Sequence, residues 1–324
     1  MVQRIGIACI GNMGFAIAQR LCANGWPVAV RDLDPRREQA AAALGAQVFA
    51  TSAELAARSD ILLVVVVDAA QVDDVLFGTD GAAAALAPGS TVLLCPTIAP
   101  ADVERVASRL AGFGAGCLDA PMSGGPARAG DGSMSLMVAG DDRVFERCSD
   151  LIGVLSSQVF RVGTRPGDGA RTKLVNNLAA AINLAGMAEV LGLAASAGLD
   201  PKRTLAVIEA SSGQSWIGSH RGRRVFAGDQ TPSAQLALLA KDSKLALLMA
   251  DETQTELPLG RAAQAIYCQA LLAGLAGEDD SVLLRRALAA AGGAARRAGQ
   301  NPDATPGATP GATPGATPSA IPNA

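Results

Sequence analysis

A doubly wound α/β domain followed by an all-α domain is the architecture this 324-residue sequence predicts, from three observations. Short apolar runs alternate with helical patterns from residue 3 to about 165, the signature of βαβ units around a parallel sheet. After Arg165-Pro166-Gly167 the strand signals stop, and Ala, Leu and polar residues recur at helical spacing to about Arg297. A glycine turn joins the first apolar run to the first helical pattern, where such sheets bind dinucleotides. The boundaries read as 1–165, 166–298 and a tail at 299–324.

The runs expected as strands are Ile5–Ile10, Pro27–Arg31, Ile61–Val67, Thr91–Leu94 and Cys117–Leu118. They are apolar on both faces, as required where helices cover both sides of a parallel sheet. Phe15–Asn24, Pro35–Leu44 and Ala101–Leu110 read as intervening helices. In the second half, 170–197 reads as one long helix ended by Gly198 and Pro201. Further helices are expected near Pro201–Ser211, Ala234–Thr253, Pro258–Ala273 and Ser281–Ala298. The ATPG repeats from Ala304 carry no core-forming residues and read as a disordered tail.

Composition removes several function classes. The net charge is −3 and aromatic residues are 3% of the chain, so neither a basic face nor a base-stacking platform for nucleic acid is expected. The most apolar unbroken run, Ile61–Val67, is far shorter than the ~20 residues of a membrane helix. No membrane association is expected, and the N-terminus lacks signal-peptide order, so the location expected is cytoplasmic. Six cysteines without a Cys-x-x-Cys pair read as small buried hydrophobes in a reducing compartment. The one histidine, His220, excludes a multi-histidine metal cage within one chain and reads as a solvated loop residue. No metal is expected.

Ile10-Gly11-Asn12-Met13-Gly14 follows the first strand. Gly11 and Gly14 take the second and third glycine positions of G-x-G-x-x-G, which let a pyrophosphate approach backbone N–H groups at a helix start. Cys9 holds the first position, and a Cβ is expected there only if φ stays negative. Asp32 ends the second strand, eighteen residues beyond Gly14, where an acid binds the adenosine ribose hydroxyls and repels a 2′-phosphate. Leu33 follows it, which favours NAD over NADP, while Arg31, Arg36 and Arg37 keep NADP open. The alternative for Asp32 is a helix N-cap.

Four blocks in order resemble the 3-hydroxyisobutyrate dehydrogenase family of β-hydroxyacid dehydrogenases, which includes tartronate semialdehyde reductases and L-threonate dehydrogenases. They are the cofactor turn; Asp119-Ala120-Pro121-Met122-Ser123-Gly124-Gly125 with Ala129 and Gly132; Gly167-Asp168-Gly169-Ala170-Arg171-Thr172-Lys173-Leu174-Val175-Asn176-Asn177; and Lys241-Asp242 with Gly277-Glu278-Asp279-Asp280-Ser281. The resemblance spans residues 3 to about 290. Departures are Cys9 for glycine, Pro96 for a common serine, and Ala234-Gln235 where an aromatic residue is usual. The resemblance implies a dehydrogenase of small 3-hydroxy acids, with Thr97 near the nicotinamide ribose and Lys241 as a lid residue; for Lys241 an ordinary surface lysine is the alternative.

Oxidising an alcohol removes a hydride from carbon and a proton from oxygen, and a lysine can take the proton if burial lowers its pKa. Lys173 and Asn177 are four residues apart on one helical face, so both can reach one oxygen. Ser123-Gly124-Gly125 offers consecutive N–H groups and a hydroxyl to a carboxylate. Trp216 is read equally as a pocket-closing or a core residue. Two other functions stand as alternatives: an imine reductase on a similar scaffold, against which Lys173 argues, and a catalytically silent dinucleotide-binding scaffold, for which Cys9 argues and against which Lys173, Asn177 and Ser123 together argue. Apolar stripes in the helical half point to a homodimer or homotetramer.

Overall fold

The computed structural model describes residues 3–299 apart from Gln230, with side-chain surroundings to residue 292. The ATPG repeats lie outside the described residues. The first half is built from β1 (Ile5–Ala8), α1 (Asn12–Ala23), β2 (Val28–Arg31), α2 (Pro35–Ala42), β3 (Gln47–Val48), α3 (Ser52–Ala57), β4 (Ile61–Val64), α4 (Ala69–Phe77), β5 (Thr91–Leu94), α5 (Pro100–Gly112) and β6 (Gly116–Asp119). It continues through β7 (Met122–Ser123), α6 (Gly125–Asp131), β8 (Ser135–Ala139), α7 (Asp142–Arg147), α8 (Ser149–Leu155) and β9 (Gln158–Gly163).

The sheet runs β3-β2-β1-β4-β5-β6-β8-β7, with β9 paired to β8. Strands β1 to β6 are parallel, and Ile5 pairs with both Val28 and Ile61. The chain thus winds outward from β1 in both directions, which opens a crevice at the strands' carboxyl ends. All residues of β1, β4 and β5 are buried, because helices pack on both faces. One apolar cluster gathers Ile5, Ile7, Ile17 and Leu21, and the other gathers Leu62, Val64, Val92 and Val106.

Among the described residues from 168 to 299 the elements are helices joined by short loops: α9 (Asp168–Ser196), α10 (Pro201–Glu209), α11 (Trp216–Phe226), α12 (Leu236–Glu252), α13 (Pro258–Leu272) and α14 (Val282–Gly299). Helix α9 is the spine. Its buried positions, among them Ala170, Lys173, Leu174, Leu178, Ala181, Leu184, Ala188 and Leu191, recur at three- and four-residue steps. By length and composition α9 could cross a membrane, which the shortness of the unbroken apolar runs had not led us to expect. Its stripe instead forms a core with Leu236, Leu239, Tyr267 and Leu284 of α12, α13 and α14.

Several expectations need correction. The run Ile61–Val67 leaves the ladder at Val64, and Val67 is exposed, its N–H donating to Gln71 at the start of α4. The sheet is not purely parallel: β8 runs antiparallel to β6 and β7. Strands β3, β7 and β8 were missed because they are short or lie among glycines, and β9 because half of it is exposed. His220 is no solvated loop residue. It lies in α11, half-buried, stacked on Trp216 with ring centroids 4.8 Å apart, and its Nδ1 is 2.8 Å from Arg221 Nη1. The glycines and arginines that suggested a loop serve packing there. Gly218 faces Met187, Gly222 faces Leu205, and Arg221 is buried. Trp216 is largely exposed, so it is not a core residue. The cysteines are free, with Cys95, Cys117 and Cys148 buried, Cys9 and Cys22 half-buried, and Cys268 exposed contrary to expectation.

Arg221 forms a two-pronged pair with Asp280, one bond being 3.0 Å, and both side chains are buried. Beside it, Asp279 accepts from the N–H of Ser233 at 2.8 Å and pairs with Arg224 at 3.2 Å, which fixes the segment that leads into α12. Removing one member of such a pair leaves a buried charge alone, at a cost of about 3–5 kcal/mol. Asp280→Ala is therefore expected to lower the unfolding free energy by about that much in urea titrations, whereas Arg36→Ala, at an exposed pair, should leave the urea midpoint nearly unchanged.

Candidate active site

The turn after β1 is shaped for a dinucleotide. Gly11 caps α1 without any side-chain hydrogen bond, and the first turn of α1 has no acid. Helices α2, α3 and α4 each carry a side-chain cap, from Asp34, Thr51 and Asp68. The N–H groups at the start of α1 are therefore left for an anionic ligand. A Cβ on Gly14 would come within 2.2 Å of the Cys9 carbonyl oxygen, so only glycine fits there. Asp32 stands at this turn, its Oδ2 accepting from the Ile10 N–H at 2.7 Å and its Oδ1 from the Asp34 N–H at 2.9 Å. The N-cap of α2 is Asp34, not Asp32, which removes the alternative reading of Asp32. These features fit an NAD(P) adenosine and pyrophosphate.

Cys9 departs from expectation. Its φ is +73°, in the left-handed region, where a negative value was required for a residue with a Cβ. Its N–H still donates to the Arg31 carbonyl at 2.9 Å, so the turn keeps its course and the cysteine bears the strain.

The second part of the site is the start of α9. Asp119, at the end of β6, accepts with Oδ2 from the N–H groups of Gly167 at 2.9 Å and Ala170 at 2.8 Å. It is fully buried, and among the described residues its Oδ1 has no hydrogen-bond partner. Burial pushes its carboxyl up to about 6, against the opposing pull of the Ala170 and Gly167 N–H groups. Lys173 follows Ala170 within one turn and lies in the buried stripe at 7% exposure. Burial draws its ammonium down to about 8, Asp242 opposes the fall, and Lys241 adds to it. Among the described residues the Lys173 amine has no hydrogen-bond partner or ion pair.

Asn177 donates from Nδ2 to Asp242 Oδ2 at 2.7 Å, while its Oδ1 accepts from Asn176 at 3.1 Å. Among the described residues the second amide N–H of Asn177 meets no acceptor, so it can donate to another group. Lys241 Nζ donates to the Thr97 carbonyl at 2.5 Å and lies 2.7 Å from Asp242 Oδ1, off the angle of a good hydrogen bond. Lys241 is therefore no ordinary surface lysine. It ties α12 to the loop after β5.

Ser123 ends β7 and precedes Gly124, with φ of +135°, and Gly125, with φ of +74°. No non-glycine residue holds this pair of conformations readily. The segment lies just beyond Asp119, at the same carboxyl edge of the sheet as the cofactor turn and Thr97. Arg128 does not face outward as a spare cation; it donates to the Ser133 carbonyl and hydroxyl.

The structure thus links Asn177 and Lys241 through Asp242 and Lys241 to Thr97, leaves Lys173 within the field of Asp242 and Lys241 without a bond to either, and sets Ile10–Gly14 beside Asp32. Sequence reasoning missed the roles of Asp119 and Asp242 as holders of α9 and Asn177. Each stood inside a motif block, yet its partner lies 48 to 65 residues away.

Residues 4–163 match the NAD binding domain of 6-phosphogluconate dehydrogenase. Residues 167–287 match the NAD-binding domain of NADP-dependent 3-hydroxyisobutyrate dehydrogenase. An L-threonate dehydrogenase from Cupriavidus necator is 38% identical over 285 residues, covering 88% of this chain and 96% of the relative. A 2-hydroxy-3-oxopropionate reductase from Escherichia coli is 32% identical over 283 residues, with 87% and 96% covered. The chain belongs to the 3-hydroxyisobutyrate dehydrogenase family. A crystal structure of 3-hydroxyisobutyrate dehydrogenase from Salmonella typhimurium superposes with a TM-score of 0.81 at 34% identity, over 87% of this chain and 99% of that one. Imine reductases, such as that of Myxococcus stipitatus, share the fold at 20% identity. As a member of the family the chain is an NAD(P)-dependent hydroxyacid oxidoreductase.

A non-glycine residue in the left-handed region costs about 1–3 kcal/mol, and glycine's greater freedom in the unfolded chain offsets about 0.4–1 of it. Cys9→Gly is expected to raise stability by about 1 kcal/mol and to leave NAD binding intact or tighter. The urea midpoint and calorimetric titration with NAD check both; a loss of stability would show that the Cβ packing outweighs the strain.

Proposed function

We propose that the chain transfers a hydride between NAD and a small 3-hydroxy acid, with Lys173 as the general acid/base. The observation that carries this reading is a buried lysine, drawn down to about 8 and without a partner, one turn from Asn177 and flanked by Lys241 and Asp242. A lysine near neutrality can accept a proton from an alcohol in one direction and return it in the other. The nicotinamide, when bound, takes or gives the hydride.

In this reading Ile10–Gly14 hold the pyrophosphate, Asp32 holds the adenosine ribose, and Thr97 and Lys241 border the nicotinamide end. Ser123, Gly124 and Gly125 bind the carboxylate. The remaining N–H of Asn177 donates to the reacting oxygen, so that Lys173 faces the proton it must move. Five relatives at 31–38% identity are named L-threonate dehydrogenases, and this favours a polyhydroxylated acid of that kind. Asp32 and Leu33 favour NAD, although a relative of known structure binds NADP+. Exposed Val190 and Leu193 on α9 and Leu272 on α13 support a homodimer or homotetramer. Six unpaired cysteines support a cytoplasmic location. We take 1–165 and 166–298 as the two domains.

The test follows reduced cofactor by absorbance with L-threonate, D-glycerate, 3-hydroxyisobutyrate, 3-hydroxypropionate and L-serine, each with NAD and NADP. Loss of a general acid/base costs about 10²–10⁴-fold, so Lys173→Ala is expected to lose turnover by that factor while still binding NAD. Binding of NAD by the native chain without turnover on any acid would favour the silent scaffold.

The pH profile has a definite sign. Alcohol oxidation needs neutral Lys173, so kcat/KM should rise with pH and level off above about 8. Carbonyl reduction needs the ammonium, so its kcat/KM should fall above the same pH. A profile flat from pH 6 to 10 in both directions would rule Lys173 out as the proton carrier.

A further inference from the structure

The end of β2 holds a cation that a second acid keeps occupied. Arg31 Nη1 lies 2.9 Å from Glu38 Oε1 on α2 and also donates to the Asp32 carbonyl. The same Glu38 oxygen accepts from the Asp32 N–H at 3.1 Å. Both side chains are mostly buried, at 26% and 18% exposure, so water screens this pair less than a surface pair. Glu38 therefore grips both the side chain of Arg31 and the backbone of the residue proposed to bind the ribose.

The other charges at this corner are disposed differently. Asp34 takes Arg36 with two bonds of 3.1 and 3.0 Å. Arg37 reaches over the turn, where a Cβ on Gly11 would meet its Nη1 at 2.9 Å, and its nearest acid is Asp34 at 3.9 Å. Asp32 has both oxygens directed to backbone N–H groups. At the ribose site so read, a 2′-phosphate would add its charge beside the Asp32 carboxylate, with the Glu38 charge held at the Asp32 backbone and the adjoining Arg31 already paired. A guanidinium already held by a carboxylate cannot give that phosphate a two-pronged grip, so while Glu38 holds it Arg31 adds little to the recognition that Arg37 alone could offer.

We infer that Glu38 is a cofactor-selectivity residue, which masks Arg31 and so disfavours a 2′-phosphorylated dinucleotide. This rests on the reading of residues 10–14 and Asp32 as the adenosine site, and it goes beyond the choice of Asp32 as the discriminating acid. Removal of the Glu38 charge releases Arg31 to the edge of the ribose site. Arg37, already near the turn, supplies a second cation there.

The experiment is calorimetric titration of the full chain with NAD and with NADP, so that affinity is read without turnover. For Glu38→Gln and Glu38→Ala the NADP-to-NAD ratio of Kd is expected to fall about tenfold or more, a shift of about 1.4 kcal/mol. Glu38→Gln keeps an acceptor for the Asp32 N–H, and it carries the test if the alanine variant unfolds. A ratio unchanged in the glutamine variant overturns the inference. Adding Arg31→Ala should return the ratio to the native value; persistence of the gain would show that Arg31 is not the masked cation and overturn it equally. A native chain that binds NADP more tightly than NAD would defeat the NAD preference proposed above, while the change of ratio in the variants would still decide the part played by Glu38.

Discussion

The position of Lys173 depends on one carboxylate oxygen. Oδ2 of Asp119 receives the N–H groups of Gly167 and Ala170, and so binds the start of α9 to the end of β6. A helix start carries partial positive charge and unsatisfied N–H groups, and a buried anion meets both needs at once. Burial penalises the Asp119 charge and pushes its carboxyl up, yet the two N–H groups and the helix end oppose that and make the burial tolerable. With the first turn of α9 pinned, Lys173 and Asn177 are set in azimuth relative to the carboxyl edge of the sheet, where Ile10–Gly14, Thr97 and Ser123–Gly125 gather.

Lys173 breaks the pattern of its own helix. Each other position of the buried stripe between Gly169 and Ala194 is apolar or glycine. Burial of a lysine favours the neutral amine, so below pH 8 the protein holds an ammonium where it is poorly solvated. As pH rises from about 8 toward the ordinary value of 10.5, the unfolded chain stays protonated while the folded one does not, and this contribution to stability increases. A buried residue that weakens the fold at neutral pH, beside two other charged side chains, supports the acid/base role proposed for it rather than a packing role.

How far the sequence made this legible follows from the range of each interaction. The βαβ alternation, the glycine turn and the Lys173/Asn177 pair are local patterns of two to thirty residues, and they could be read directly. Helix α11 could not be, since its glycines read as loop signals until Met187 and Leu205 are seen to occupy the space beside them. The φ of Cys9 was missed for a similar reason: the course of the turn is dictated by Gly14 and by the strand pairing with Arg31, and the residue type at position 9 does not alter it. Asp119 with α9 and Lys241 with Thr97 are contacts across 48 to 144 residues, and periodicity carries no information about them.

Those long-range contacts also explain why α9 and α12 can serve one site. The Asp119 tie fixes α9 to β6, and the Lys241 tie fixes α12 to the loop after β5. Strands β5 and β6 are neighbours in the sheet, so the two helices are referred to a common rigid edge. Asp242 then closes the gap between them through Asn177. Lys173 lies between these ties, and its environment is set from both sides: the sheet edge determines where the amine stands, and Asp242 and Lys241 determine the charge around it. A shift of either helix would change both together. For the acid/base role proposed for Lys173, which requires a pKa near the working pH, that coupling is what a rigid frame provides and a flexible loop would not.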